Sequence, residues 1–296
     1  MEVNANTRIY DKAVDRAAMI RLYERRVNGK IELVIDDHVK SIDKIIRSGD
    51  LSVEGRKQLL KAIEDRHTVT FREAYNTSKR SLLDLVADQI SYAYQNLEVA
   101  AGKIWETQRP QKRVAEEIVL QRPIYGDRTL AAGWAGVSEG EKKRIEAVIR
   151  KGIAENNTID EIALAVRKGN IHTITRGQSR GLVITAITSV TAQADHEVYK
   201  ANKTALRGWQ YVAVLDSRTT PVCAARDGMI FDIDDVSHLP PAHFHCRSTT
   251  IPVMKSWDDM VNLAGAAHVR RQNLQGLSKK EIAYYDGQTP LRETIS

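Results

Sequence analysis

The chemistry-bearing residues of this 296-residue chain gather in one stretch. Both cysteines, Cys223 and Cys246, lie between positions 209 and 253, with three of the eight histidines, His238, His243 and His245, and four of the seven prolines, Pro221, Pro240, Pro241 and Pro252. Two thiolates and two imidazoles, from Cys223, His243, His245 and Cys246, form a donor set that suits tetrahedral zinc. His243 and Cys246 have the two-residue separation of a metal knuckle. Cys223 has no partner of that kind, because Thr220 stands where the first cysteine of a C-x-x-C pair would be, and His245 is adjacent to Cys246. The same residues fit two other states, a Cys223–Cys246 disulfide or two buried reduced thiols. A Cys–His nucleophile pair would also need a third, orienting group, and the sequence identifies none.

The elements that must position these residues are short. Residues 209–215 (WQYVAVL) are apolar and β-branched, bounded by Gly208 and by Asp216-Ser217, which is a strand pattern. Residues 216–221 (DSRTTP) have turn chemistry, and Asp227-Gly228 is a tight-turn dipeptide leading into a second strand over 229–233. Pro240-Pro241 forces extended backbone before His243, and 248–253 reads as a third strand ended by Pro252. A unit of short antiparallel strands and long loops buries too little apolar surface to stand alone. It needs a staple or a surface to dock on.

The order Trp209, Asp216-x-Arg218-Thr219, Cys223, Asp227-Gly228, then Pro240-Pro241-x-His243-x-x-Cys246-Arg247 resembles the C-terminal signature of minor head proteins of tailed bacteriophages, the Mu F-like head morphogenesis family. Thr220 and Ser248 stand where that pattern has cysteines, so the resemblance leaves Cys223, His243 and Cys246 as matched ligands, with His245 as a local substitute. The helical stretch 181–202 resembles the family's helix before the Trp strand, with Ser189 after Thr188 where the family carries a Thr-Glu pair. The resemblance covers roughly residues 141–253. It implies a structural, non-enzymatic protein of the virion head near the portal, made in host cytoplasm. Portal and capsid proteins are its implied partners, with packaged double-stranded DNA held non-specifically, no membrane, and zinc as the one candidate cofactor.

The rest of the chain reads as helix. Apolar content is 42% and net charge is +6, a mild basic excess compatible with nearby nucleic acid. No apolar run reaches membrane-spanning length, and the N-terminus lacks the basic-then-apolar pattern of a secretory leader. Apolar spacing predicts helices over 10–27, 31–46, 53–75 and 78–101, with Ser52 capping the third. They make an N-terminal bundle over 1–101. His38 interrupts the second stripe and reads as a boundary residue, not a ligand. Residues 102–140, rich in Gly and Pro, read as a loop-rich linker. Capping boxes at Ser138–Glu141 and Thr158–Glu161 open two helices, and residues 168–181, with His172, read as a loop. Residues 254–296 form a polar tail, partly helical over 257–272. The expected fold is mainly α: a helical N-terminal bundle with a small α+β C-terminal module over 141–253. Two readings from other classes remain: a metal-dependent HNH-like nuclease using His243 to Arg247 with Asp258, Asp259, Asn262 and His268, or a nucleic-acid-binding protein.

Overall fold

A computed structural model describes residues 5–101, 106–111 and 113–255. Its first two elements are long antiparallel helices, α1 (Ala5–Arg47) and α2 (Val53–Ala101). Each joins two helices that the sequence divides. In α1 the segment Asn28-Gly29-Lys30 stays helical, because Val27, Ile31 and Ile35 on either side are all buried. A glycine within a helix costs about 1 kcal/mol, less than the loss of either neighbour from the core. In α2, Asn76-Thr77 is carried through in the same way by buried Ala74, Ser78 and Leu82. The turn between the helices is capped as expected, with Ser52 Oγ accepting the Gly55 N–H at 3.1 Å.

The stretch expected as linker contains α3 (Val114–Leu120) and the start of α4 (Leu130–Ala154). Thr129, not Ser138, caps α4. Ser138 lies mid-helix because buried Leu130, Trp134 and Val137 extend the apolar stripe upstream, and Glu141 is wholly buried. The second capping box is present in full, with Thr158 and Glu161 bonding each other's backbone at the start of α5 (Ile159–Lys168). The expected loop at 168–181 is instead the first third of α6 (Ile171–Ala201). This helix is buried on nearly every side, so it has no apolar stripe to read.

The sheet has three antiparallel strands, β1 (Leu206–Val212), β2 (Ile230–Phe231) and β3 (Thr249–Met254), in the order β2-β1-β3. Trp209 pairs with Phe231 on one side and Pro252 on the other. Pro252 therefore lies within β3 and does not end it, which an edge strand tolerates. A short helix not anticipated from sequence, α7 (Pro221–Arg226), carries Cys223, with Pro221 at its first turn. The sheet packs on the C-terminal ends of α2 and α6, where Leu97, Val198 and Tyr199 meet Trp209, Tyr211 and Ile251. This mainly α fold with a small three-stranded sheet is the expected class. Among the described residues no helix is long and apolar enough to cross a membrane. The expected tail helix, and Asp258, Asp259, Asn262 and His268, lie outside the described residues.

Candidate metal centre

Three elements converge on the cysteines. Short α7 supplies Cys223, the turn before β3 supplies His243 and Cys246, and β1 supplies Tyr211. Both thiols are buried and free. Their sulfurs are 3.7 Å apart, far beyond the roughly 2.05 Å of a disulfide. His243 Nε2 is 3.2 Å from Cys223 Sγ. The donor atoms of Cys223, His243 and Cys246 all lie within 4.8 Å of one another. Zinc–sulfur bonds of about 2.3 Å at the tetrahedral angle hold two sulfurs about 3.8 Å apart, so the sulfur spacing fits one edge of such a site.

The fourth expected ligand goes elsewhere. His245 adopts φ +65°, and its N–H is donated to Thr185 Oγ1 on α6 at 3.0 Å. Its ring lies against Gly181, where even a Cβ would come within 2.2 Å of Nε2. Burial, with Arg180 and His243 adding to it, pushes the His245 imidazole below its ordinary range. His238 is apart from the cluster too, stacked on Phe231 and bonded through Nδ1 to Asp235 Oδ2 at 2.7 Å.

Tyr211, unremarked in the sequence, lies with its hydroxyl 3.3 Å from Cys223 Sγ and 3.8 Å from Cys246 Sγ. Burial alone would raise the Cys223 thiol, but the polar side chains of Ser248, Tyr211 and Thr220 and the Cys246 contact outweigh it and bring it to about 7. A thiol held near neutrality already favours the thiolate that a metal needs. The Tyr211 phenol is driven the other way, by burial first and by the two cysteines after it.

The remaining motif residues hold this knot shut. Arg247 and Asp216 form a two-pronged ion pair, both contacts 2.6 Å, between the turn after β1 and the turn before β3. The Asp216 carboxyl is held well below the usual carboxylate range by Arg247 and by the Arg218 N–H. Thr219 Oγ1 accepts the Asp216 N–H at 2.7 Å and donates to the Val214 carbonyl at 2.6 Å. Thr188, on the central face of α6, donates to the Cys246 carbonyl at 2.7 Å. Arg21 of α1 reaches the Arg247 carbonyl at 2.8 Å. The knot is therefore docked on α6 and α1 as well as on its own sheet.

Residues 143–251 match the family described as Phage Mu protein F like protein. A putative capsid assembly protein F of Escherichia phage Mu is 48% identical over 42 residues, 13% of this chain and 10% of that protein. The chain thus matches about a tenth of the length of this curated relative. No solved structure matches the fold. The matched segment begins inside α4 and ends inside β3, so it takes in α5, α6, α7 and every residue of the sulfur cluster. Over residues 143–251, then, the chain is similar to the Phage Mu protein F like family, and the likeness takes in the whole sulfur cluster.

Proposed function

We propose that this chain is a structural minor head protein of a tailed phage that acts in head assembly through contacts with portal and capsid proteins. The observation that carries this reading is the family match over 143–251, which coincides with the knot, its sheet and the helix that seats them. In this reading the long α1–α2 pair is the arm that reaches partners, and the knot is a rigid plug. Cys223, His243 and Cys246 hold one zinc ion that fastens α7 to the turn before β3. Zinc would supply there the cross-link that a sheet of three short strands lacks. The net charge of +6 suits a place beside packaged double-stranded DNA, bound without sequence preference.

The nuclease alternative has less behind it. Residues 243–247 form a turn rather than a strand, and the described residues place no further carboxylate in the sulfur cluster. The test is fractionation of phage particles and empty heads, with this chain followed by mass spectrometry. It is expected to co-sediment with both. Absence from heads, or normal head yield and infectivity after its gene is deleted, overturns the proposal. DNA cleavage with Mg²⁺ or Zn²⁺ that disappears in His243→Ala would support the nuclease instead.

A further inference from the structure

Away from the sulfur cluster, four buried polar side chains meet inside the helices. They are His38 from α1, His67 from α2, Glu141 from α4 and His172 from α6. Only His172 falls within the family-matched segment. The other three occupy positions that the helical spacing reserves for apolar residues. His38 sits between buried Ile35 and Ile42, His67 between Ile63 and Phe71, and Glu141 between Val137 and Ile145. The apolar neighbours on one side belong to one hydrophobic core and those on the other side to a second, so this polar layer separates the two. His38 and Glu141 are 0% exposed and His67 is 2% exposed.

Polar atoms cut off from water need partners. Some have them. Glu141 Oε1 is 3.1 Å from His172 Nδ1, His38 Nδ1 is 3.0 Å from Thr70 Oγ1, and His67 Nδ1 is 2.8 Å from the Ile63 carbonyl. Three atoms are left over. His38 Nε2, His67 Nε2 and Glu141 Oε2 form no hydrogen bond, yet they converge. Oε2 is 3.1 Å from His38 Nε2 and 3.6 Å from His67 Nε2, and all three atoms lie within 4.8 Å of one another. A carbonyl only accepts, so His67 carries a proton on Nδ1 and turns Nε2 toward the carboxylate. A cation between the three atoms satisfies all of them, since a metal lies off the lines joining its ligands.

We propose that His38 Nε2, His67 Nε2 and Glu141 Oε2 bind a divalent transition metal of the zinc class, as a buried clamp joining α1, α2 and α4. Metal–ligand bonds of about 2.0–2.1 Å at tetrahedral angles place ligand atoms about 3.4 Å apart, between the two distances found here. Imidazole donors favour zinc-class ions over calcium and magnesium. Thr70, the Ile63 carbonyl and His172 then act as the outer partners that fix ring and carboxylate orientation. The burial of all three ligands leaves no approach for a substrate, so the ion's work is to hold helices together.

The experiment uses the full-length chain carrying Cys223→Ser and Cys246→Ser, which removes the thiolates. After Zn²⁺ loading and exhaustive dialysis, elemental analysis is expected to find about one equivalent of zinc, and added Zn²⁺ to raise Tm by several degrees. Co²⁺ in its place should give visible d–d absorption without the near-ultraviolet thiolate charge-transfer band. His67→Gln in that background should lose the metal, the Co²⁺ spectrum and the Tm rise together. Where the double cysteine variant does not fold, His67→Gln and His38→Gln are compared with the parent chain, and each should lower bound metal by about one equivalent. A folded cysteine-free protein that retains no metal, or metal content unchanged by the histidine variants, overturns the proposal.

Discussion

Asp195→Asn should stabilise this protein at neutral and alkaline pH and leave it unchanged in acid. Asp195 lies on α6, 3% exposed, where Gln89 Nε2 donates to its Oδ1 at 2.6 Å. Gln89 Oε1 in turn accepts from Arg16 Nε at 2.9 Å. The groups facing Asp195 are thus Gln89 and Tyr92 on α2, Arg16 on α1 and, on its own helix, Tyr199. Burial raises the carboxyl, the Gln89 bond and Arg16 oppose it, and burial wins, pushing it from 3.8 up to about 7. The folded state therefore holds a proton that the unfolded chain releases near pH 3.8. Stability from this group is fully present below pH 3.8 and is lost as pH rises through about 7. A shift of about three pH units at 1.36 kcal/mol each gives about 4 kcal/mol. Asparagine keeps the acceptor oxygen for Gln89 and never ionises. The variant's advantage in urea unfolding, read at constant m, should be near zero at pH 4 and approach about 4 kcal/mol at pH 8. Other carboxylates titrate in both proteins and cancel in the difference. An advantage that does not change with pH, or a variant less stable than the parent at pH 8, would refute the reasoning.

Gly208→Ala should destabilise the sheet by about 1–3 kcal/mol, because the added Cβ would lie 2.3 Å from the Phe231 carbonyl oxygen in the paired strand. Thermal unfolding reads it, and an unchanged Tm would mean that β2 does not sit where described. Arg247→Ala removes the two-pronged contact with Asp216 and should speed proteolytic cutting within residues 213–247 while the melting temperature of the helices barely moves. Equal cutting rates in the two proteins would show that the pair does not hold the knot. Chelation of a zinc-loaded sample should make Cys223 and Cys246 react much faster with a thiol reagent, although both are buried. Equal rates with and without chelator would remove the metal from that site.

The sulfur cluster was legible because its residue types are scarce and sit close together in sequence. Cys223, His243 and Cys246 announce themselves; the turn chemistry at 216–221 and 227–228 brackets Cys223, and Pro240-Pro241 precedes His243 and Cys246. His245 misled because a donor side chain says nothing about backbone, and its positive φ turns the ring to Gly181. Tyr211 was hidden among apolar strand residues, since only the strand's facing direction reveals which hydroxyl meets the sulfurs. Helix breaks failed at Asn28-Gly29 and Asn76-Thr77 for one reason: propensity is local, and burial across a long antiparallel pair overrides it. The His/Glu layer left a readable trace. His38, His67 and Glu141 each stand four residues from a buried apolar residue on their own helix, so each sits on a core stripe. Nothing in the sequence says that three such interruptions, spread over a hundred positions, meet at one level.

One helix explains why the two polar knots exist together. Along α6, His172 orients Glu141, Thr185 and Thr188 hold the His245 and Cys246 backbone, and Asp195 ties to α2. Its surroundings change from helix bundle to sheet along its length, yet it is buried nearly throughout. An apolar helix in that position would be free to slide by a turn or rotate, since hydrophobic contact is non-directional. Each hydrogen bond to a side chain at a fixed height instead permits one register. The family-matched segment holds this helix and the sheet but omits α1, α2 and Glu141. The His/Glu layer is thus where α1 and α2 are fixed to α4 and, through His172, to α6. Loosening that layer should shift α1 and α2 against α6 while the sulfur cluster stays assembled.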